Sequence, residues 1–466
     1  MRSLIITIVI ASFFYLGTEY WYFTWIALFF ICRYSLNESV GYSFVIGSIT
    51  YFLGSTNPHS VLPIFIYWPF ILMNAVLFGG VLFVFRLVTD KWKNQKASFV
   101  FASGLVSMEF VFSMFSPHGT VSSIAYTQAD NVFIIQVASL VGVLGISFLM
   151  AMVAAQGALV VRYNSLRNIK ANLLTGGVSV FVIIFGWYQL YMPVSEETIR
   201  VGLAAFPIRL QEYVLVSENK DDQKVNEVVQ AYIKRVELLA KSGVDYVLLP
   251  EKLITISAEK DLQPFYEAAK NNHINLIVGV SNVKENMHYN EAYMISPIGE
   301  KLLEYDKQHL QTTFEKRYVQ GSSLGIVENK GIEICKDMDF TQPSLQYSKN
   351  GVGVVFVPAL DFHDDAWTHA RVAIMRGVEG NFSVVRAGQW GSLSISDNRG
   401  RVLSAISADD AEENAILLNQ VSVSNGNSVY SRIGNCFAWF CLIVFAGGIL
   451  SVFSKDKRMK VGLSYK

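Results

Sequence analysis

The chain has 466 residues, 52% of them hydrophobic and 16% charged, and its 38 basic and 38 acidic side chains cancel. So apolar a composition exceeds the share usual in soluble proteins, and a neutral balance lacks the basic footprint of a nucleic-acid binder. No internal repeat or low-complexity segment is visible.

Charge is unevenly placed. No Lys or Arg falls between Tyr34 and Phe85 or between Ser98 and Val161, whereas charged residues return at globular frequency from Arg200. Against the roughly 20 residues that span a bilayer, apolar runs predict spans near 3–17, 20–34, 40–54, 61–86, 97–115, 133–162 and 172–192, and an eighth near 434–454. The first three are short enough to be tilted or partly re-entrant. The first is not read as a signal peptide, because no small-residue cleavage site follows it and another apolar run begins at once.

With the N-terminus inside, the inner loops hold Arg33, then Arg86, Lys91, Lys93 and Lys96, then Arg162, Arg167 and Lys170. The final tail holds Lys455, Lys457, Arg458 and Lys460, while the outer loops near 18, 55–60 and 116–132 hold no Lys or Arg. By the positive-inside rule, seven spans then place 193–433 on the outer face. The expected division is a helical membrane domain over 1–193, an α/β domain over 199–423, a span over 434–454 and a cytoplasmic basic tail over 455–466. Glu109, in "LVSMEFVFSMF", falls inside the fifth span. An ionisable group there is costly and suggests a functional contact, here with lipid or its headgroup. A carboxylate hydrogen-bonded within the bundle explains it equally.

In the outer segment "IRVGLAAF" reads as a strand, and "KVNEVVQAYIKRVELLAKSG" as a helix with Val225, Val229, Tyr232, Val236 and Leu239 on one face. "VDYVLLP" is a buried strand stopped by Pro250, a second helix covers about 261–272, and "INLIVGVSNV", "GIEIC" and "VGVVFVPAL" complete an α/β layered set. Strand ends are open to ligand. Glu251 follows "YVLLP", Lys307 follows "KLLEYD", and Cys335 ends "GIEIC". Of the four cysteines, Cys32, Cys436 and Cys441 lie in apolar runs, so Cys335 has no disulfide partner in this segment. Alone it reads as a small buried hydrophobe. With a carboxylate and an ammonium it makes a covalent acyl-transfer set: base, oxyanion holder and nucleophile.

The stretches "LLPEKL", "YDKQHL" and "GIEICKDMDF" resemble the Glu–Lys–Cys motifs of the nitrilase (carbon–nitrogen hydrolase) superfamily. Glu315, eight residues after the lysine, and Asp337, two after the cysteine, match its auxiliary acidic positions. Together with the flanking spans, the word "AYTQADN" at 125–131 and "WTHARVAIMRGVEGNFSVVRA" at 367–387, the chain is similar to the bacterial apolipoprotein N-acyltransferase family. That resemblance implies an αββα nitrilase-like sandwich on the outer face of a multi-span helical domain, in the bacterial inner membrane. It implies transfer of an acyl chain from a phospholipid, through a thioester on Cys335, to the α-amino group of a diacylglyceryl-cysteine on an apolipoprotein. The expectation is a monomer in contact with membrane lipids, using no cofactor and no metal. Departures touch substrate contacts. Gln311–Phe314 replaces a Pro-Phe-Gly-like turn, Lys336 stands where an aromatic is common and becomes a possible headgroup contact, "DFHDD" lacks a tryptophan, and no arginine follows Glu109.

Three rival readings are a membrane-tethered amidase, a zinc hydrolase using His363, Asp365 and His369 of "HDDAWTH", and a non-enzymatic transporter or scaffold. The zinc set lacks a recognised spacing, and Asp365 reads more simply as a helix N-cap. His309, two residues from Lys307 and on the same face if the strand continues, could approach Cys335.

Overall fold

In this computed structural model the described residues are 2–57, 64–163, 169–206, 208–217, 221–311, 313–361, 366–408 and 415–454. The expected tail 455–466, with His363 and Asp365, lies outside them. The N-terminal part is helical, with helices Arg2–Leu16, Tyr22–Ser35, Val40–Gly54, Ile64–Trp92, Ala97–Phe115, Leu144–Tyr163 and Ile169–Tyr191. Cys436–Phe453 follows the α/β part. Five of the described helices are long and apolar enough to cross a membrane: Trp68–Trp92, Ala97–Phe115, Leu144–Tyr163, Asn172–Tyr191 and Cys436–Phe453. Ser3–Leu16 and Val40–Gly54 are apolar but shorter.

The apolar run 133–162 is not one helix, contrary to expectation. Ile135–Val137 is a 3-10 turn and Ala138–Val141 a single helical turn, broken at Gly142 with φ +77°. A Cβ at that glycine would lie 2.6 Å from the Tyr430 ring, so a side chain arriving from far along the sequence sets the break.

The strands are β1 (Thr198–Ala205), β2 (Tyr246–Leu248), β3 (Thr255–Ile256), β4 (Asn275–Lys284), β5 (Met287–Ile295), β6 (Lys301–Asp306) and β7 (Tyr318–Val319). They continue as β8 (Gly325–Val327), β9 (Lys330–Ile332), β10 (Val354–Leu360), β11 (Ser383–Gln389), β12 (Ser392–Ser396), β13 (Val402–Ser407) and β14 (Ala415–Ser422). One sheet runs β14-β1-β2-β4-β5-β6, with β3 on β4 and β7 on β5; the other runs β13-β12-β11-β10-β9-β8. Their inner faces meet in one core, with Val201, Leu203, Ile277 and Met294 against Ile332, Phe356, Val385 and Ile395. Helices Asp222–Lys241 and Gln263–Asn272 cover the first sheet through Val229, Val236 and Phe265. Tyr347 and Ala373, from helices Ser344–Lys349 and Ala366–Gly380, cover the second. The result is the expected αββα sandwich.

Helix Ala366–Gly380 serves two cores. Ala373 packs with Val355 and Val384 of the sheet, while Val372, Met375 and Val378 join the core of the helical bundle. The fully buried Arg376 pins this seam, donating to Met338 O at 2.9 Å and to Tyr126 Oη at 2.7 Å, and contacting Thr120 and Glu379. Tyr126 belongs to the "AYTQADN" word, here a 3-10 turn.

Candidate active site

Three strand ends converge. Pro250 ends the chain's run out of β2, and the next residue, Glu251, donates its N–H to Ala359 O at 3.3 Å. Gly279 on β4 permits that turn, since a Cβ there would stand 2.6 Å from Pro250 O and 2.7 Å from Glu251 Cα. Lys307 follows β6 directly and donates its N–H to Asn290 O at 2.9 Å. Strand β9 ends at Ile332, earlier than "GIEIC" predicts, and Cys335 opens a 3-10 turn, Cys335–Asp339, with φ +43°. A non-glycine residue held in that region is uncommon and typical of strained functional turns.

Asp337 clamps this turn to the lysine strand. Its Oδ1 accepts from the N–H groups of Gln308 (3.1 Å) and His309 (2.7 Å), and Oδ2 accepts from Tyr305 Oη (2.8 Å) and Ile334 N (3.0 Å). All four are interactions within the protein, so Asp337 positions the site.

Glu251, Lys307 and Glu315 are buried together. Lys307 Nζ lies 2.9 Å from Glu251 Oε1 and 3.1 Å from Glu315 Oε2. Two further residues, which the motifs did not mark, complete the set. Asn290 donates to Glu251 Oε1 and Glu315 Oε1, both at 2.6 Å, and Lys252 Nζ stands 2.8 Å from Glu315 Oε1. Glu251 Oε2 and Asn290 Oδ1 are buried with no hydrogen-bond partner among the described residues. Burial works against the Lys307 ammonium, but Glu251 and Glu315 more than offset it and hold its pKa well above the usual lysine range. Burial likewise opposes Glu315 ionising, yet Lys307 and Lys252 keep its carboxyl well below the usual carboxylate range.

The Cys335 thiol faces the same cavity of about 400 Å³ as Glu251, Lys307 and Glu315, and donates to Leu360 O at 3.7 Å. Burial, then the Glu251 carboxylate, push its pKa well up, against the pull of Lys307. The resting thiol is therefore protonated and needs a base at the moment of attack. Behind it Arg386 and Asp361 form a buried two-point ion pair, at 2.7 and 2.5 Å. Leu210, Val214 and Phe314 line the cavity's outer part, with Leu210 and Phe314 each 61% exposed.

Of the other sequence candidates, His309 and Glu109 fall elsewhere. His309 is not on a strand; its ring stacks on Phe340 at 3.9 Å and faces a second hollow with Gln308 and Lys316. Glu109 is buried inside the bundle, accepting from Ser123 Oγ (2.8 Å), Ser147 Oγ (2.6 Å) and Ile124 N (2.9 Å). The bundle-bonded alternative describes it, and it is not presented to a headgroup. His369 lines the thiol cavity, and its Nδ1 lies 3.1 Å from Asp339 Oδ1. Lys336 does line the thiol cavity. Among the described residues Glu291, Glu304 and Asp306 converge as a cation-ligand set, but Lys284 Nζ stands 2.7 Å from both glutamates.

Residues 212–429 match the family described as carbon-nitrogen hydrolase, and residues 7–156 match the apolipoprotein N-acyltransferase N-terminal domain. A curated relative, the apolipoprotein N-acyltransferase of Geobacter metallireducens, is 24% identical over 376 residues, covering 69% of this chain and 67% of the relative. Solved structures similar to this chain include an amidase from Nesterenkonia sp. (15% identity, TM-score 0.41, 50% of this chain and 93% of that one). Another is Nit3 of Saccharomyces cerevisiae, a member of branch 10 of the nitrilase superfamily (15% identity, TM-score 0.42, 50% and 92%).

Proposed function

This chain belongs to the apolipoprotein N-acyltransferase family, and we propose that it moves an acyl chain from a membrane phospholipid to the N-terminal diacylglyceryl-cysteine of an apolipoprotein, with Glu251, Lys307 and Cys335 as its catalytic residues. The observation that carries the reading is Glu251 Oε2, unpaired among the described residues and buried in one cavity with a protonated thiol and the Lys307 ammonium.

In the first half-reaction Glu251 takes the thiol proton as sulfur attacks the ester carbonyl, and Lys307 holds the developing oxyanion. The tetrahedral adduct collapses to a thioester, and the departing lysophospholipid oxygen takes the proton back. In the second half, the α-amine of the acceptor attacks the thioester and gives its proton to Glu251. The amide forms and the thiol is restored. Glu315 and Asn290 fix the orientation of Lys307 and Glu251. The αββα unit works on the outer face of the inner membrane, by the distribution of Lys and Arg among the loops.

Intact-protein mass spectrometry tests this. After incubation with phospholipid, wild type should gain one acyl mass, lost again when a diacylated lipopeptide is added. Cys335→Ala should gain none while keeping its thermal transition. Hydrolysis of short soluble amides, with no acyl adduct from any phospholipid, would instead favour a tethered amidase.

A further inference from the structure

Lys336 follows the nucleophile directly and lines the same cavity, yet neither half-reaction above uses it. The residue is 5% exposed, and among the described residues its ammonium makes one hydrogen bond, 3.1 Å to His118 Nδ1. Asp339 Oδ2 stands 3.7 Å away, beyond hydrogen-bond reach, and is buried without a hydrogen-bond partner among the described residues. The Phe340 ring adds only a face, 5.9 Å from Nζ.

An ammonium carries three N–H donors, so two have no partner among the described residues in a space nearly closed to bulk water. Such a buried charge is costly unless a partner joins it. The other buried cations around the thiol have carboxylate oxygens within 3.1 Å, Lys252 and Lys307 from Glu315 and Glu251, and Arg386 from Asp361, while Arg317, which also lines the cavity, is exposed to solvent. Lys336 therefore gives the cavity an underused positive corner. That corner abuts the membrane helices, because His118 packs edge-on against Phe70 at 5.5 Å.

We propose that Lys336, set by His118 and Asp339, binds the phosphate of the acyl donor while Cys335 attacks that donor's ester carbonyl. The inference rests on the acyl-transfer reading. In a glycerophospholipid the phosphate and the ester carbonyls hang from one glycerol unit. Cys335 and Lys336 are adjacent, with Cα atoms about 3.8 Å apart, and so address neighbouring groups of one molecule. The ammonium donates charge-assisted hydrogen bonds to non-bridging phosphate oxygens; no covalent bond changes at this contact.

The test uses full-length protein in detergent micelles and follows single-turnover acylation of Cys335 by intact mass. The two donors are a dipalmitoyl phospholipid and dipalmitoylglycerol, its phosphate-free counterpart. Wild type should react faster with the phospholipid. Lys336→Met and Lys336→Gln should each lower the phospholipid-to-diacylglycerol rate ratio about tenfold or more, the scale of one charge-assisted hydrogen bond. Lys336→Arg should keep most of the ratio. A ratio unchanged in the folded Met and Gln variants, whether both rates fall together or neither falls, overturns the assignment. Equal wild-type rates with the two donors overturn it without any variant. Acylation by neither donor overturns the acyl-transfer reading itself, and this one with it.

Discussion

Glu333 stands two residues before the thiol, fully buried, with Oε2 accepting from Ser344 Oγ at 2.9 Å and Oε1 unpaired among the described residues. Burial first, and the Asp337 carboxylate second, raise its pKa from 4.5 to about 8. Between those values the folded chain keeps a proton that the unfolded chain has released, so stability falls as pH rises through that window. Glu333→Gln retains an acceptor for Ser344 and removes the titration. The apparent Tm of the variant, followed against pH, should gain on wild type from about pH 4.5 to about 8 and stay above it beyond; parallel curves would refute the buried titration. At this scale the sequence was readable where chemistry coincides with a strand end. Glu251, Lys307 and Cys335 each follow a run whose β character shows in its apolar pattern, and Glu315 comes from the family resemblance, which places a second glutamate eight residues after the lysine. Asn290 was not readable, because a lone amide in the middle of β5 has no pattern that separates it from a solvated position. Lys252 was within reach, since it directly follows Glu251 in "LLPEKL".

The nucleophile turn is braced from outside its own domain. The segment after helix Ala97–Phe115 lays Thr120 against the turn, where its N–H and Oγ1 both donate to Asp339 O, at 2.9 and 3.0 Å. Gly119 makes that approach possible: its φ is +51°, and a Cβ there would stand 2.3 Å from Asp339 O, a backbone atom that cannot swing aside. Gly119→Ala should therefore push the turn away and lower the rate of thioester formation about tenfold or more, together with a drop in Tm, as expected for a side chain forced into positive φ at a close contact. Normal acylation kinetics in this variant would mean that the brace has no catalytic consequence. Contacts of this kind are hidden from periodicity, which reports only how one segment buries its own face. The same limit explains the run 133–162, where an unbroken apolar pattern conceals the interruption imposed at Gly142 by Tyr430. Helix Ala366–Gly380 is the complementary case: apolar residues on more than one side are what a helix between two cores requires.

At the scale of the whole molecule, both connections to the apolar helices leave from one edge of the sandwich. Strand β1 begins just after helix Ile169–Tyr191, β14 ends shortly before Cys436–Phe453, and the two pair antiparallel with Thr198 opposite Ser422. If the Lys and Arg distribution sets orientation, a cysteine placed at Glu300 should label with an impermeant thiol reagent from outside and one at Lys93 only after permeabilisation. Reversed labelling would set the site at the wrong leaflet. A domain held this close to the bilayer can receive an acyl chain without first lifting it into water, a step that costs about 0.8 kcal/mol for each methylene. The lip of the cavity fits that task, because Leu210 and Phe314 are each 61% exposed and Val214 is 40% exposed beside them. Exposed apolar side chains at a cavity mouth weaken a soluble enzyme's case and suit one that meets lipid. Phe314→Asp and Leu210→Asp should therefore slow thioester formation from phospholipid vesicles about tenfold or more, since each places a charge where a chain must pass. With a short-chain phospholipid presented below its micelle concentration, the same variants should lose far less, because that donor arrives through water. Equal losses with both donors would mean that the apolar lip shapes the catalytic centre and does not serve as the lipid's way in.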